Sequence, residues 1–357
     1  MKKKSLIPLN GMQQSLFENF DPFDEIQRSQ LVADHPLMLS ESGYTFATSA
    51  VQLALTQLVS AVSSGLPGIA FIAYPRFGKT AATRYLKKVL STTFDDIPVV
   101  SFIAKYHAIP NELRFYKELL SASKLAHPIG RDPADYLDRL WKSWWTRVVT
   151  SQSKRIILII DEAQKLNSAH FSWLIDLSNS LGEHQVSLTV VLFGQPELVN
   201  QRQVFLYSNR NDIICRFMVD VHNFEGIRNA LELSEVLGFY DDQVISEYPT
   251  DSHCSCTQFF VPQAYKNGWR LMPLSNKLWK AFEMVASSTG EKSIENGLNI
   301  GMNWIKIAVQ NILIELMPDD TPSMKSSDEI LLHAVRRSGF AESLGIIRSN
   351  SRKAVDV

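Results

Sequence analysis

Short apolar runs alternate with helical patterns through the first two thirds of the chain. Four of these runs predict buried strands, at residues 69–73, 97–103, 155–160 and 187–193. Apolar residues at helical spacing predict helices over residues 46–64, 80–91, 111–125 and 133–150. Strands that are apolar throughout and alternate with helices are typical of a parallel sheet covered on both faces. The pattern therefore predicts an α/β fold.

The pattern changes after Phe217. Helical spacing predicts further helices over residues 226–238, 275–288, 294–317 and 328–338, and residues 248–273 are irregular. Residues 1–45 have weak periodicity and are interrupted by proline and glycine, so we expect an arm with short helices. We therefore expect an N-terminal arm over 1–45, an α/β core over 46–240, and a helical lid with a frayed tail over 241–357.

Composition narrows the class of protein. The chain has 357 residues, 45% of them hydrophobic, which is enough for a sizeable core. A net charge of −1 argues against a globally basic nucleic-acid binder, although 36 lysines and arginines leave room for a basic stripe. Three cysteines fit a reducing cytoplasm better than a disulfide scaffold. The basic N-terminus is not followed by an apolar run, and residues 301–317 are interrupted by polar side chains, so we expect neither a signal peptide nor a membrane span.

The first strand runs into a segment with the pattern of a phosphate-binding loop, G-x-x-x-x-G-K-[ST]. In such a loop, backbone N–H groups surround phosphates at the start of a helix, the lysine reaches the β- and γ-phosphates, and the hydroxyl holds Mg²⁺. The predicted ATP-binding residues are Tyr74, Pro75, Arg76, Phe77, Gly78, Lys79 and Thr80. Ala73 replaces the first glycine, which is costly if that position needs a positive φ. An ordinary strand–turn–helix is the alternative.

The third strand ends in the acidic pair Asp161–Glu162, 82 residues after Lys79. That interval leaves room for one further strand, over residues 97–103. Carboxylates at the carboxyl end of a buried parallel strand lie at the ligand-binding edge of the sheet. We expect Asp161 to bind Mg²⁺, largely through water, and Glu162 to polarise the attacking water. The alternative is an acidic pair that caps the helix after it.

Two further candidates follow the fourth strand. Gln195 lies at the end of that strand, where its amide can hydrogen-bond the attacking water or the γ-phosphate; a turn formed by Gly194–Pro196 is the alternative. An arginine from a neighbouring subunit can stabilise the transferring phosphoryl group. Arg202, Arg210 and Arg216 are candidates, and we favour Arg216 because IICRF is compatible with a short strand end near the sheet edge. A surface role for this arginine is the alternative.

Other clusters are better accounted for by structure than by chemistry. The segment His253–Cys256 has too few ligands for a tetrahedral zinc site. Trp141, Trp144 and Trp145 share a helix and favour packing over base stacking. Short basic clusters occur at residues 2–4, 336–337 and 352–353, and such runs are usually solvated.

Together the GKT loop, the segment IILIIDEAQKL and the segment LFGQPEL with its following arginines resemble AAA+ ATPases of the ExeA, MuB, TniB and TnsC type. The resemblance covers about residues 51–239. It implies a P-loop NTPase fold with a helical lid, and ATP-dependent homo-oligomers, rings or filaments, on double-stranded DNA. It also implies transposase and target-selection partners. Within the group the chain is most similar to the TnsC-like regulators of transposition, and the family's nucleotide-site positions fall on Lys79, Thr80, Asp161, Glu162, Gln195 and an arginine near Arg216.

Three hypotheses follow for function. The first is a DNA-dependent ATPase that marks a target for integration. The second is an ExeA-like secretion or assembly ATPase, and the third is an ATP-binding scaffold with little turnover. DNA contacts are expected on loops inside the oligomer, and Lys105, Tyr106 and His107 are one candidate segment, with packing against the lid as the alternative.

Overall fold

The computed structural model describes residues 20–39, 43–94, 96–289 and 297–344. The chain divides into two compact units. Among the described residues, the α/β unit comprises 49–94 and 96–226, and the helical unit comprises 20–39, 43–48, 227–289 and 297–344. The predicted tail and the basic clusters at 2–4 and 352–353 lie outside the described residues. The three-region division expected from the sequence remains a proposal.

A single parallel sheet forms the centre of the described α/β unit. Its strands are β1 (Gly68–Ile72), β2 (Val99–Ile103), β3 (Arg155–Asp161), β4 (Ser187–Gly194) and β5 (Asp220–Asn223). They are arranged in the order β2-β3-β4-β1-β5. The four predicted strands are present within about two residues of their expected bounds. β5 was not predicted because DVHN is short and alternates half-buried with exposed positions at the sheet edge.

The register brings the candidate motifs to one edge of the sheet. Ile72 pairs with Gly194, and Ile103 pairs with Asp161. β4 lies between β1 and β3. The segment after β4 therefore leaves the sheet between the loop after β1 and the acidic pair after β3. This is the carboxyl edge, where open α/β sheets bind ligands.

Helices cover both faces of the sheet. In chain order the helices of this unit are α2 (Ser49–Ser63), α3 (Lys79–Thr93), α4 (Glu112–Ala122), α5 (Pro133–Val148), α6 (Ser168–Gly182), α7 (Glu197–Tyr207) and α8 (Asn211–Phe217). Helices α4 to α8 share a core with one face of β3 and β4, whereas α2 packs on β1 and α3 packs on β2 and β3. The α/β fold predicted from the apolar runs is confirmed.

The strand end expected near Arg216 is wrong. The segment IICRF lies in helix α8, not at a strand end. Ile213, Ile214 and Phe217 are buried, and their spacing places all three on one helix face toward the core. Arg216 lies on the same helix and is half-buried.

The helical unit joins residues from both ends of the sequence. Its helices are α1 (Glu25–Leu31), α9 (Ala230–Asp241), α10 (Cys256–Phe260), α11 (Pro262–Lys266), α12 (Ser275–Ser288), α13 (Met302–Leu316) and α14 (Asp328–Arg336). The helix predicted over 294–317 begins only at Met302; residues 294–296 lie outside the described residues, and 297–301 are not helical.

The helical unit contains a buried histidine. His35 is fully buried against the rings of Tyr44, Tyr248, Phe259 and Phe260. Its Nδ1 accepts a hydrogen bond from the backbone N–H of Leu37 at 3.1 Å. Burial lowers the pKa of His35 to about 3, so this side chain is neutral in the folded protein.

Candidate nucleotide-binding site

The loop after β1 has the backbone needed to turn from strand to helix. Gly78 caps α3 with φ 96°, a left-handed conformation that glycine adopts without steric cost. Arg76 is also left-handed, with φ 67°, and its side chain is exposed. The first N–H groups of α3 have no acceptor within their own helix. These features form a short turn from strand to helix, and the unpaired N–H groups at such a helix start can bind phosphate.

Ala73 is not strained. Its φ is not positive, and its backbone N–H donates to Gly194 O at 2.9 Å, which extends the β1–β4 ladder by one residue. The steric cost considered for the missing glycine therefore does not arise at this position. The left-handed non-glycine residue in the loop is Arg76 instead.

Lys79 is a buried cation whose hydrogen-bond partners are neutral carbonyl groups. Only 5% of its surface is exposed, and Nζ donates to the carbonyl oxygens of Ala73 at 3.1 Å and Tyr74 at 3.0 Å. Burial lowers the pKa of Lys79, and the more distant carboxylates of Glu162 and Asp161 partly oppose this. A cation desolvated in this way gains from an anion placed beside it, and phosphate oxygens fit that requirement.

The two motifs predicted from the sequence meet at Thr80 and Asp161. The Thr80 hydroxyl donates to Asp161 Oδ2 at 2.8 Å, and the backbone N–H of Glu162 donates to Asp161 Oδ1 at 2.9 Å. Burial raises the pKa of Asp161, and these hydrogen bonds oppose the rise. A hydroxyl and a carboxylate in contact are the hard oxygen ligands that Mg²⁺ takes together with water and substrate phosphates.

Glu162 lies in a turn directly after β3 and is held by three donors. Its backbone is left-handed, with φ 58° and ψ 37°. Its Oε2 accepts from Gln164 Nε2 at 3.0 Å, lies 3.2 Å from Lys165 Nζ, and accepts from Gln195 Nε2 at 3.5 Å. Glu162 and Gln195, predicted separately, are thus brought into contact.

The structure does not bring the candidate arginines to this cluster. Arg216 lines a cavity of about 600 Å³ together with Pro67, Arg155 and Ser187, which lie where β1, β3 and β4 begin. This is the opposite edge of the sheet from Lys79. Arg202 donates to Met218 O at 3.0 Å, and Arg210 pairs with Asp212 at 2.9 Å.

Other candidates lie away from the site or are buried in cores. Cys254 and Cys256 are buried, and among the described residues no group of three or more His, Cys, Asp or Glu side chains is placed to hold a metal. Trp144 is buried, and its indole N–H donates to Ser123 Oγ at 3.0 Å, so this side chain has a role in packing. In the segment after β2, Tyr106 is 75% exposed, Lys105 is also exposed, and His107 contacts Glu118 at 3.2 Å.

Sequence reasoning missed Gln164 and Lys165, which contact the predicted base. The signal was present, because both follow Glu162 within three residues and a turn places such neighbours beside it. Residues 163–165 form a single 3₁₀ turn, and this turn brings both side chains back to Glu162.

Comparison with known proteins agrees with this geometry. A family model described as an AAA domain matches residues 67–201, which extend from the start of β1 into α7. This match and the parallel sheet show that the chain contains an AAA-type P-loop ATPase domain. No curated protein matches the chain.

Solved structures show the same fold. The Aeropyrum pernix ORC2 protein in its ADPNP-ADP complexes is 12% identical with a TM-score of 0.51, over 81% of this chain and 66% of that one. The ADP form of the same protein is 11% identical with the same TM-score, and the match covers 81% of this chain and 68% of that one. The chain thus spans about two thirds of the ORC2 length, and at this identity the likeness shows the fold alone. Within the described residues, no helix is both long and apolar enough to cross a membrane.

Proposed function

We propose that this protein binds and hydrolyses ATP with Mg²⁺. The observation that carries the proposal is the contact between Thr80 and Asp161 at 2.8 Å, beside the buried Lys79. These residues come from segments about 80 positions apart, and a structural strand–turn–helix would not need them together. The ADPNP and ADP complexes of the ORC2 protein support nucleotide as the ligand of this fold.

Each residue has a distinct role in the proposed reaction. Lys79 and the loop N–H groups of residues 74–80 bind the phosphates, and Thr80 and Asp161 would hold Mg²⁺, which neutralises phosphate charge when bound. Glu162 polarises the water that attacks the γ-phosphorus, and Gln195 orients it. The bond from the γ-phosphorus to the ADP oxygen breaks, the proton of the water passes to Glu162, and ADP and phosphate leave.

Arg216 acts on a neighbouring subunit in this proposal. A five-residue strand spans about 16 Å, so an arginine beside the start of β1 cannot reach a nucleotide held beyond its end. A second copy that presents Arg216 to that nucleotide would supply the cation that stabilises the transferring phosphoryl group. ATP hydrolysis then requires a homo-oligomer.

We further propose that this oligomer forms on double-stranded DNA and recruits or activates a transposase. This step rests on the resemblance of the GKT, DEAQKL and GQPEL segments to TnsC-like regulators. The acidic pair Asp161–Glu162 argues against the scaffold hypothesis, and Ala73, the residue that argued for it, has an unstrained backbone. An ExeA-like role shares the same nucleotide site and is separated from transposition by the DNA test below.

ATPase activity should be measured with and without duplex DNA, alongside electron microscopy with a non-hydrolysable ATP analogue. We expect stimulation by DNA and ATP-dependent oligomers on the duplex, both weakening with salt. ATPase activity without DNA stimulation or DNA-bound oligomers would contradict the transposition role and favour the ExeA-like one. Unchanged ATP affinity in Lys79→Ala, measured by calorimetry, would contradict the nucleotide site itself.

A further inference from the structure

Gln164 bridges the two polar residues that the proposed ATPase reaction assigns to water. Its Nε2 donates to Glu162 Oε2 at 3.0 Å, and its Oε1 accepts from the backbone N–H of Gln195 at 3.1 Å. One side chain therefore connects the turn after β3 with the residue that follows β4.

The orientation of the Gln164 amide follows from its partners. A backbone N–H can only donate, so the amide oxygen must face Gln195. The amide NH₂ group must then face the Glu162 carboxylate, which can accept when ionised. A hydrogen bond to an ionised acceptor is stronger than one between neutral groups, which favours this single arrangement.

The turn that carries Gln164 is itself fixed. Gln201 on α7 donates through Nε2 to the carbonyl oxygens of Gln164 at 2.8 Å and Leu166 at 3.0 Å. Within the turn, the backbone N–H of Lys165 donates to Glu162 O at 3.0 Å. Gln164 thus acts from a rigid base, and its side chain is half-buried.

The three donors to Glu162 all use the same carboxylate oxygen. Gln164, Lys165 and Gln195 contact Oε2, whereas Oε1 receives no hydrogen bond from the part of the chain that the structure describes. Gln164 makes the shortest of these contacts. The Gln195 contact, at 3.5 Å, lies at the upper limit of a hydrogen-bond distance. The Lys165 side chain is 38% exposed and has a flexible aliphatic stem.

We propose that Gln164 is a positioning residue that fixes Glu162 with Oε1 directed to the attacking water, in register with Gln195. The inference rests on the proposed ATPase function. Within the described structure the Gln164 side chain makes no hydrogen bond to the loop residues, Thr80 or Asp161, so it acts on the rate of hydrolysis and not on ATP binding.

Two isosteric variants test this role. Gln164→Glu keeps an acceptor for Gln195 but removes the donor and places a like charge beside Glu162. Gln164→Met keeps the side-chain length and removes both hydrogen bonds. We expect kcat to fall about 10- to 100-fold in both, since small misplacements of a reacting group have effects of this size. KM and the calorimetric Kd for ATP should stay within about threefold.

Gln243→Glu is the matched control, because Gln243 is exposed in the helical unit and the substitution is the same. It should retain the wild-type kcat. Wild-type kcat in both Gln164 variants would overturn the positioning role, and so would parallel losses of ATP affinity and thermal stability, which indicate a merely structural role.

Glu162→Gln, measured in parallel, distinguishes failure of the positioning role of Gln164 from failure of the proposed ATPase function. If Glu162→Gln is inactive while the Gln164 variants are fully active, only the positioning role fails. If the wild-type protein does not hydrolyse ATP, the proposed function fails and the role of Gln164 fails with it.

Discussion

Replacing Ala73 with glycine should destabilise the protein, although the phosphate-loop pattern has glycine at this position. Ala73 is 2% exposed, its φ is not positive, and its N–H continues the β1–β4 ladder. Losing a buried methyl group costs ~0.8 kcal/mol, and the extra freedom of glycine in the unfolded chain costs about 0.4–1 kcal/mol. The free energy of unfolding should therefore fall by about 1–2 kcal/mol.

Arg76→Gly is the matched substitution in the same loop, and its effect on the free energy of unfolding should not have the sign expected for Ala73→Gly. The left-handed backbone at φ 67° costs a non-glycine residue about 1–2 kcal/mol, which glycine avoids. The entropy of glycine in the unfolded state offsets about 0.4–1 kcal/mol of this gain. The exposed side chain contributes little packing. Arg76→Gly should therefore leave the free energy of unfolding unchanged or raise it by up to about 1.6 kcal/mol.

Urea denaturation and thermal melting of both variants measure these changes. For a domain of about 150–250 residues, 1 kcal/mol shifts the melting temperature by roughly 2–4 °C. Ala73→Gly should thus melt several degrees below Arg76→Gly and below wild type, with ATP affinity within about threefold of wild type. A more stable Ala73→Gly variant, or one with faster ATP turnover, would refute the conclusion that Ala73 is unstrained.

Three further predictions concern the proposed oligomer, the helical unit and DNA binding. Arg216→Ala should lower kcat about 10³-fold with unchanged ATP affinity. Mixing it with Lys79→Ala should restore turnover, because an Arg216→Ala subunit keeps its Lys79 and can receive Arg216 from a Lys79→Ala neighbour. No recovery in the mixture would contradict action between subunits. His35 has a folded-state pKa of about 3 and an ordinary value of 6.5, so the unfolded chain binds the proton first and stability falls as pH drops from 6.5 toward 3. Between pH 7 and 5 the free energy of unfolding should fall by about 2 kcal/mol from this cause. Urea denaturation should show the fall in wild type but not in His35→Asn. An equal pH dependence of stability in the two proteins would contradict a buried neutral histidine. Lys105→Ala should weaken DNA binding and reduce the slope of log K against log salt concentration by about 1. Lys154→Ala, at the opposite end of the strands, should change neither. Equal effects of the two substitutions in a fluorescence-anisotropy titration would exclude residue 105 as a phosphate contact.

The α/β core was predictable because its main strands are buried on both faces. Residues 155–161 and 187–194 are nearly continuous apolar runs, and runs of this length that alternate with helices are typical of the central strands of a parallel sheet. The meeting of Thr80 with Asp161 also followed from the sequence, since parallel strands bring their carboxyl ends to the same edge.

Other features depended on contacts that the sequence does not encode locally. The segment 211–217 is apolar and short, so periodicity alone could not separate helix from strand, and its helical form depends on packing against the core. The backbone conformation at Ala73 depends on its pairing with Gly194. Residues 20–39 join the helical unit through contacts such as the hydrogen bond from Arg28 to Phe259 O at 3.4 Å, between residues 231 positions apart.

The most direct test of the account is steady-state ATP hydrolysis by Glu162→Gln, with ATP affinity measured on the same preparation. Glutamine keeps the shape of the side chain but cannot accept the proton of the attacking water. We expect kcat to fall by about 10²-fold or more, with ATP bound as tightly as by wild type. Hydrolysis by Glu162→Gln at the wild-type rate would contradict the assignment of Glu162 as the base and the mechanism built on it.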